Sequence, residues 1–293
     1  ITFHFWIKFK LMKIALGTVQ WGLDYGIANT SGMPSNDELK TIFELAKKAG
    51  IVLFDTAVQY GDAEKRVGQF SSPKSKIITK VGSFSKGNSL DYQLENSFNN
   101  LRRECIYGCL FHNINELNED KGLWKELLAY KKESKIKKIG YSLYDPSELH
   151  DLLETGFVPD ILQFPYSILD RKFEPYLELL KEKGVEIHIR SVFLQGLYFK
   201  PINELDSKYA DLKQSLREIQ HIGKENNLSM LELALCYVIQ NKSIDYAVLG
   251  AETSHQLTQI ISASKQKLSQ KTIDDIKSIK LENQTMLNPV NWK

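Results

Sequence analysis

Residues 51–61 read IVLFDTAVQYG: four apolar residues run straight into Asp55, and Tyr60 follows five positions later, just before Gly61. The apolar run has the length and composition of a buried strand. An acid at the end of such a strand, with a phenol in the loop beyond it, gains meaning only if other polar groups come to the same place.

Working outward, similar runs recur at KIAL (13–16), KIIT (76–79), YGCLF (107–111), KKIGY (137–141), DILQF (160–164), EIHIR (186–190) and DYAVL (245–249). The middle runs start at 51, 76, 107, 137, 160 and 186, so they lie 25, 31, 30, 23 and 26 residues apart. That is one strand–helix unit per beat. Helical patterns fill the gaps. Ser35-Asn36-Asp37-Glu38 reads as a capping box ahead of Leu39, Ile42, Phe43 and Ala46, with Gly50 as the stop. Leu90, Leu94, Phe98 and Leu101 form a second stripe, and Pro146-Ser147 opens a third helix that stops at Gly156. No linker, low-complexity tract or charge block divides residues 12–293, so one domain is expected.

Eight strands alternating with helices suit a closed barrel or a doubly wound open sheet. An open dinucleotide-binding sheet carries G-x-G-x-x-G after its first strand. The first turn here, LGTVQWGLDYG, spaces Gly17, Gly22 and Gly26 too widely for that loop. The expected fold class is therefore α/β, a single-domain (β/α)8 TIM barrel.

The 293 residues are 42% hydrophobic and 25% charged, a soluble globular profile. A net charge of +2 with scattered lysines argues against a nucleic-acid surface. Cys105, Cys109 and Cys236 form no C-x-x-C pair, so neither a disulfide framework nor a metal site is expected, and the expected location is cytoplasmic. Residues 1–11, ITFHFWIKFKL, are interrupted by Lys8 and Lys10 and too short to span a bilayer. They read as an extra segment, a start-site artefact or a short added strand, and no membrane partner is expected.

In such a barrel the chemistry gathers at the carboxyl ends of the strands. The second strand ends at Asp55 with Tyr60 in its loop, the third at Lys80 and the fourth at His112. Neighbouring strands lie about 4.8 Å apart, so Asp55 and Lys80 can pair, with His112 one strand further on. A lysine ammonium beside a phenol favours the phenolate, so the pKa of Tyr60 is expected below its usual value of about 10. A phenol tuned this way can protonate a carbonyl oxygen while His112 donates or orients from the other side. The four lack a hydride source, a gap that a bound nicotinamide fills. Two alternatives are a regulatory barrel that binds the nucleotide as a sensor, and a Schiff-base aldolase built on Lys80. The second needs a neutral amine, which Asp55 opposes.

From about residue 12 to 265 the chain resembles the aldo-keto reductases. FDTAVQYGDAE (54–64) is close to that family's FDTA-x-x-YG-x-AE signature. LGTVQWG (16–22), IITK (77–80), LFH (110–112), the GYS of 140–142, ILQFPYS (161–167) and RSVFLQGL (190–197) follow in the family's order and spacing. The resemblance implies that Tyr60 is the proton donor, Lys80 and Asp55 its tuning pair, and His112 the residue that orients the carbonyl. It implies that Ser142 and Gln163 hold the nicotinamide amide and that Thr18 and Val19 border the cofactor. Arg190 stands where an aromatic residue commonly stacks on the nicotinamide, a role a guanidinium plane can also fill. Ser191 and Phe193 follow it at the expected cofactor site. In VLGAETSHQL (248–257), Gly250, Glu252 and Gln256 replace the lysines or arginines that many members set against the 2′-phosphate of NADPH. Without those charge-assisted contacts, the expected cofactor is NADP or NAD with NADH used at least comparably, unless Lys265 or Lys267 supplies the missing charge. The expected substrate is a small carbonyl compound, an aldehyde, ketone or sugar. Trp21 and Tyr25 would meet it from the first loop, and Phe193, Tyr198 and Phe199 from the seventh.

Overall fold

The computed structural model describes residues 13–156, 158–281, 283–288 and 291; the segment 1–11 read above as an addition lies outside them. Eight strands, β1 (Ile14–Gly17), β2 (Leu53–Asp55), β3 (Lys76–Val81), β4 (Ile106–Phe111), β5 (Ile136–Ser142), β6 (Ile161–Pro165), β7 (Glu186–Arg190) and β8 (Tyr246–Gly250), follow one another in chain order around a closed barrel. Every neighbouring pair is parallel, and β8 returns to β1 with Gly17 opposite Gly250. Helices separate the strands. The fold is the (β/α)8 barrel that the eight-beat pattern indicates. Among the described residues, no helix is long and apolar enough to cross a membrane.

One difference matters for the site. The second strand begins at Leu53, not Ile51, and takes Asp55 into the ladder, where it pairs with Gly17 on one side and Ile78 on the other. Asp55 is thus backbone-fixed rather than set in a loop.

Two apolar layers hold the barrel. An inner cluster contains Ala15, Leu53, Ile78, Leu110 and Ile161. A much larger outer layer joins the strands to the helices and includes Leu39, Ile42, Phe43 and Ala46 of helix Asn36–Ala49, the stripe visible in the sequence. Strand side chains alternate with a period of two. Asp55, Lys80, His112 and Gln163 each lie two residues beyond a member of the inner cluster, namely Leu53, Ile78, Leu110 and Ile161. The alternation that buries the apolar residues therefore aims the polar ones into one mouth.

The capping box expected at Ser35 is half formed. Ser35 accepts the N–H of Glu38 at 3.2 Å, but the Glu38 carboxylate does not return to the cap. It accepts instead from the backbone N–H of Ser254, at the start of helix Ser254–Ala263.

Candidate active site

The rim at the carboxyl ends of the strands is built around Lys80. Its side chain is 1% exposed, and its ammonium bonds to the Asp55 carboxylate and to the carbonyl of Thr56 at 3.2 Å. The other oxygen of Asp55 accepts from the amide nitrogen of Gln163 at 2.8 Å. Both oxygens of the acid are engaged, so the lysine is held from below. The Tyr60 ring centre lies 5.2 Å from the Lys80 nitrogen, and His112 meets that ring edge-on, with centroids 5.6 Å apart. Four side chains drawn from three strand ends and one loop thus converge.

Close backbone packing brings Tyr60 to this position. A Cβ on Gly22 would lie 1.9 Å from the Tyr60 carbonyl oxygen, and one on Gly61, at φ +55°, would lie 2.4 Å from that of Gly22. The first and second loops can only nest with glycine at both places.

The electrostatics differ from the sequence expectation at one point. Burial raises the pKa of Tyr60; Lys80 draws it down, but burial prevails and the phenol stays above its ordinary value. Burial also pushes Lys80 toward the neutral amine, and the attraction of Asp55 and Tyr60 reverses that, leaving the ammonium more firmly protonated than usual. His112 is pushed down to about 3, by burial first and then by Lys80 and Arg190. The site at neutral pH therefore holds a protonated phenol, a charged lysine and a neutral imidazole. A neutral imidazole can donate from one nitrogen, and His112 Nδ1 is buried without a partner.

A cavity of about 530 Å³ opens over this group, within the range of roughly 300–1,000 Å³ typical of small-molecule sites. Of the residues singled out in the sequence, Thr18, Val19, Tyr25, Asp55, Tyr60, His112, Ser142, Gln163, Arg190, Ser191, Phe193, Gly250, Glu252 and Gln256 line it. Lys80 does not; it lies beneath Asp55 and Tyr60. Arg190 spans one wall, its guanidinium 4.1 Å from the Tyr144 ring centre and donating to the Leu143 carbonyl at 3.0 Å. The loop after β7 carries Ser191, Leu194 and Gln195 at φ of 61°, 45° and 52°, a run of left-handed non-glycine residues of the kind that gathers at functional sites.

Two aromatic residues expected at the substrate are elsewhere. Trp21 is fully buried in the outer layer, its indole N–H donating to the Ala251 carbonyl at 2.9 Å and its ring 5.3 Å from Phe43. The short helical turn Val19–Trp21 sends it away from the cavity. Tyr198 is also buried, its hydroxyl bonded to Ser167 and Leu169. Phe193, Phe199 and Tyr25 do reach the cavity. So do Gln20, Asn29, Tyr144 and Gln195, which the sequence reading passed over although three of them stand inside or next to quoted motifs. Lys265 and Lys267 do not line the cavity.

A nicotinamide nucleotide fits these walls by one independent sign. Thr18 Oγ1, Gln20 Oε1 and His112 Nδ1, all on cavity-lining residues, are buried with no partner. Buried polar atoms are rarely left so, and the three lie where a polar ligand would satisfy them.

Comparison with known proteins agrees with this architecture. The family model for the aldo/keto reductase family matches residues 13–281. An aldo-keto reductase from Bacillus halodurans in its holo form is 20% identical, with a TM-score of 0.73 over 90% of this chain and 91% of that one. A structure from Pseudomonas aeruginosa assigned to the aldo-keto reductases is 22% identical, with a TM-score of 0.65 over 86% of this chain and 89% of that one. No curated protein matches the sequence.

Proposed function

Because this chain belongs to the aldo/keto reductase family of oxidoreductases, we propose that it reduces a small aldehyde or ketone with a nicotinamide nucleotide, using Tyr60 as the general acid. The observation that carries the reading is the buried Lys80–Asp55 pair set under the Tyr60 ring, with neutral His112 edge-on at the cavity wall. When bound, the cofactor supplies the hydride. Ser142 and Gln163 hold its carboxamide, Thr18 and Val19 border it, and Arg190, Ser191 and Phe193 flank it.

The chain's own part is proton delivery. His112 orients the carbonyl oxygen toward Tyr60, and the phenol releases its proton as negative charge grows on that oxygen. Lys80 stabilises the phenolate left behind. It stays charged because Asp55 holds it and Gln163 holds Asp55. A phenol raised by burial keeps its proton at neutral pH, which is the starting state an acid needs.

The aldolase alternative loses ground, since Lys80 is charged, 1% exposed and absent from the cavity wall. With respect to cofactor, the loop that follows β8 supports use of NADH at least comparable to NADPH. Glu252 lines the cavity, and Arg190 is the only lysine or arginine among the described residues that does. Mixing the purified protein with NADH or NADPH and a panel of aldehydes, and following cofactor oxidation by absorbance, tests the reading. Tyr60→Phe should lower kcat by roughly 10²–10⁴-fold with nucleotide binding intact. Full activity in that variant would overturn the role of Tyr60, and binding without oxidation in the wild type would favour the sensor.

A further inference from the structure

The cavity wall around the proposed proton donor carries donors and one cation that no acid matches. Tyr25, Tyr144 and Arg190 line the cavity with Tyr60 and His112. Burial first, and then Tyr60, push the Tyr25 phenol up to about 12, so its hydroxyl keeps its proton at neutral pH. Arg190 lies close enough for its charge to act on Tyr25, Tyr60 and His112. The two charges that act on His112, those of Lys80 and Arg190, are both positive. A guanidinium has five N–H donors. Arg190 gives one bond, to the Leu143 carbonyl at 3.0 Å, and its central carbon lies 4.1 Å from the Tyr144 ring centre. No ion pair among the described residues includes it. Asp55 is committed on both oxygens, to Lys80 and to Gln163. Asp170 feels Arg190 only after Lys172, and it lies outside the cavity wall. Glu252 lines the cavity without pairing to Arg190. A cation that faces an open cavity with no acid to match it suits an anionic ligand.

We propose that the carbonyl substrate carries an oxyanion, a carboxylate or a phosphate within a few bonds of its carbonyl group, and that Arg190 selects it. The inference rests on the reductase reading above and narrows its substrate. A planar guanidinium can flank a ring with its face and bind an oxyanion along its edge, so the place given to Arg190 beside the nucleotide stands. Tyr25 and Tyr144 set hydroxyl groups in the same wall. In the reaction the carbonyl carbon takes the hydride of the reduced nucleotide and the carbonyl oxygen takes the proton of Tyr60. The anionic group leaves unchanged.

The test compares kcat/KM within two substrate pairs: succinic semialdehyde against its methyl ester, and glyceraldehyde 3-phosphate against glyceraldehyde. Wild type, Arg190→Gln and Arg190→Lys are assayed with the same nucleotide, with a thermal melt of each variant. A change in nucleotide binding touches both members of a pair alike and cancels in their ratio. The wild type should favour the anionic member of at least one pair by about tenfold or more, the size of a charge-assisted hydrogen bond, and the preference should shrink in high salt. The pair that shows it names the anion. Arg190→Gln, which keeps an amide donor and removes the charge, should bring that ratio close to one. Arg190→Lys, which keeps the charge, should retain most of it. A wild-type ratio near one in both pairs, with turnover, overturns the substrate class and leaves the reductase standing. An unchanged ratio in Arg190→Gln overturns the role of Arg190. Absence of nucleotide oxidation with all four compounds and with the neutral aldehyde panel overturns the reductase reading itself.

Discussion

Each mouth of the barrel holds a lysine–carboxylate pair, and the two pairs do different things. At the rim, Lys80 and Asp55 lie under Tyr60 and His112, next to a cavity. At the floor, where the strands begin, Lys138 bonds to Glu186, which also accepts from the Tyr107 hydroxyl at 2.8 Å and pairs with His188 Nε2 at 2.7 Å. Burial raises the Glu186 pKa, but the bonds to His188, Lys138 and Tyr107 outweigh it and bring the carboxyl to about 2. Neither Glu186, Lys138, His188 nor Tyr107 lines the cavity. The floor carboxylate is saturated by its own chain. The rim pair lies under a phenol, beside buried polar atoms that lack partners. A buried atom without a partner occurs at the floor as well, His188 Nδ1, so it is the open cavity beside the rim pair that separates the two mouths.

The largest expected effect comes from breaking one pair at each mouth. Lys80→Met leaves Asp55 charged and buried, and should destabilise the fold by about 3–5 kcal/mol while lowering kcat by at least ~10²-fold. Lys138 is 33% exposed, and Glu186 keeps two other donors. Lys138→Met should cost only about 1 kcal/mol with kcat unchanged. Urea denaturation and steady-state assays measure both. An equal loss of activity at the two mouths would erase the distinction.

Acid should separate the mouths by pH window. Folded His112 titrates at about 3, against about 6.5 for a free histidine. As pH falls through 6.5 the unfolded chain takes up a proton that the folded one refuses, so stability declines from there toward pH 3. Glu186 is depressed in the other sense. Its contribution is whole above its ordinary 4.5 and is lost as pH falls toward about 2. Denaturation curves across pH should show the early decline vanish in His112→Gln and the late one shrink in Glu186→Gln. A profile of the same shape in His112→Gln would contradict the neutral imidazole.

The smallest effect concerns Trp21, which lies near the rim in sequence but outside the cavity. Trp21→Phe loses the bond to Ala251 and should cost about 1 kcal/mol, with KM for the carbonyl substrate unchanged. A large rise in KM would return Trp21 to the substrate side of the comparison.

The barrel was legible in the sequence because its signals are local. Apolar runs at a steady beat and helical stripes such as Leu39, Ile42, Phe43 and Ala46 follow from backbone periods of two and 3.6. The polar end of each strand was legible for the same reason, since Asp55, Lys80 and His112 follow directly on apolar runs. Destinations were harder to read. Trp21 and Tyr25 are equally aromatic and four residues apart, yet one is core and the other cavity wall. The short-range rule assigns Glu38 to its own helix cap, but Ser254, 216 residues away, holds it. The pKa of Tyr60 was misjudged because the sequence reveals the neighbouring lysine and not the depth of burial.

From the order of its residues alone, this chain declares a (β/α)8 barrel and nominates an acid, a phenol, an amine and an imidazole for its rim. Only closure of the barrel decides which contacts those groups keep. Gln163 reaches Asp55 across 108 positions and Trp21 reaches Ala251 across 230. Such pairings depend on where distant strands and loops are brought to rest, and on how much water is left between them. Periodicity along a chain encodes neither.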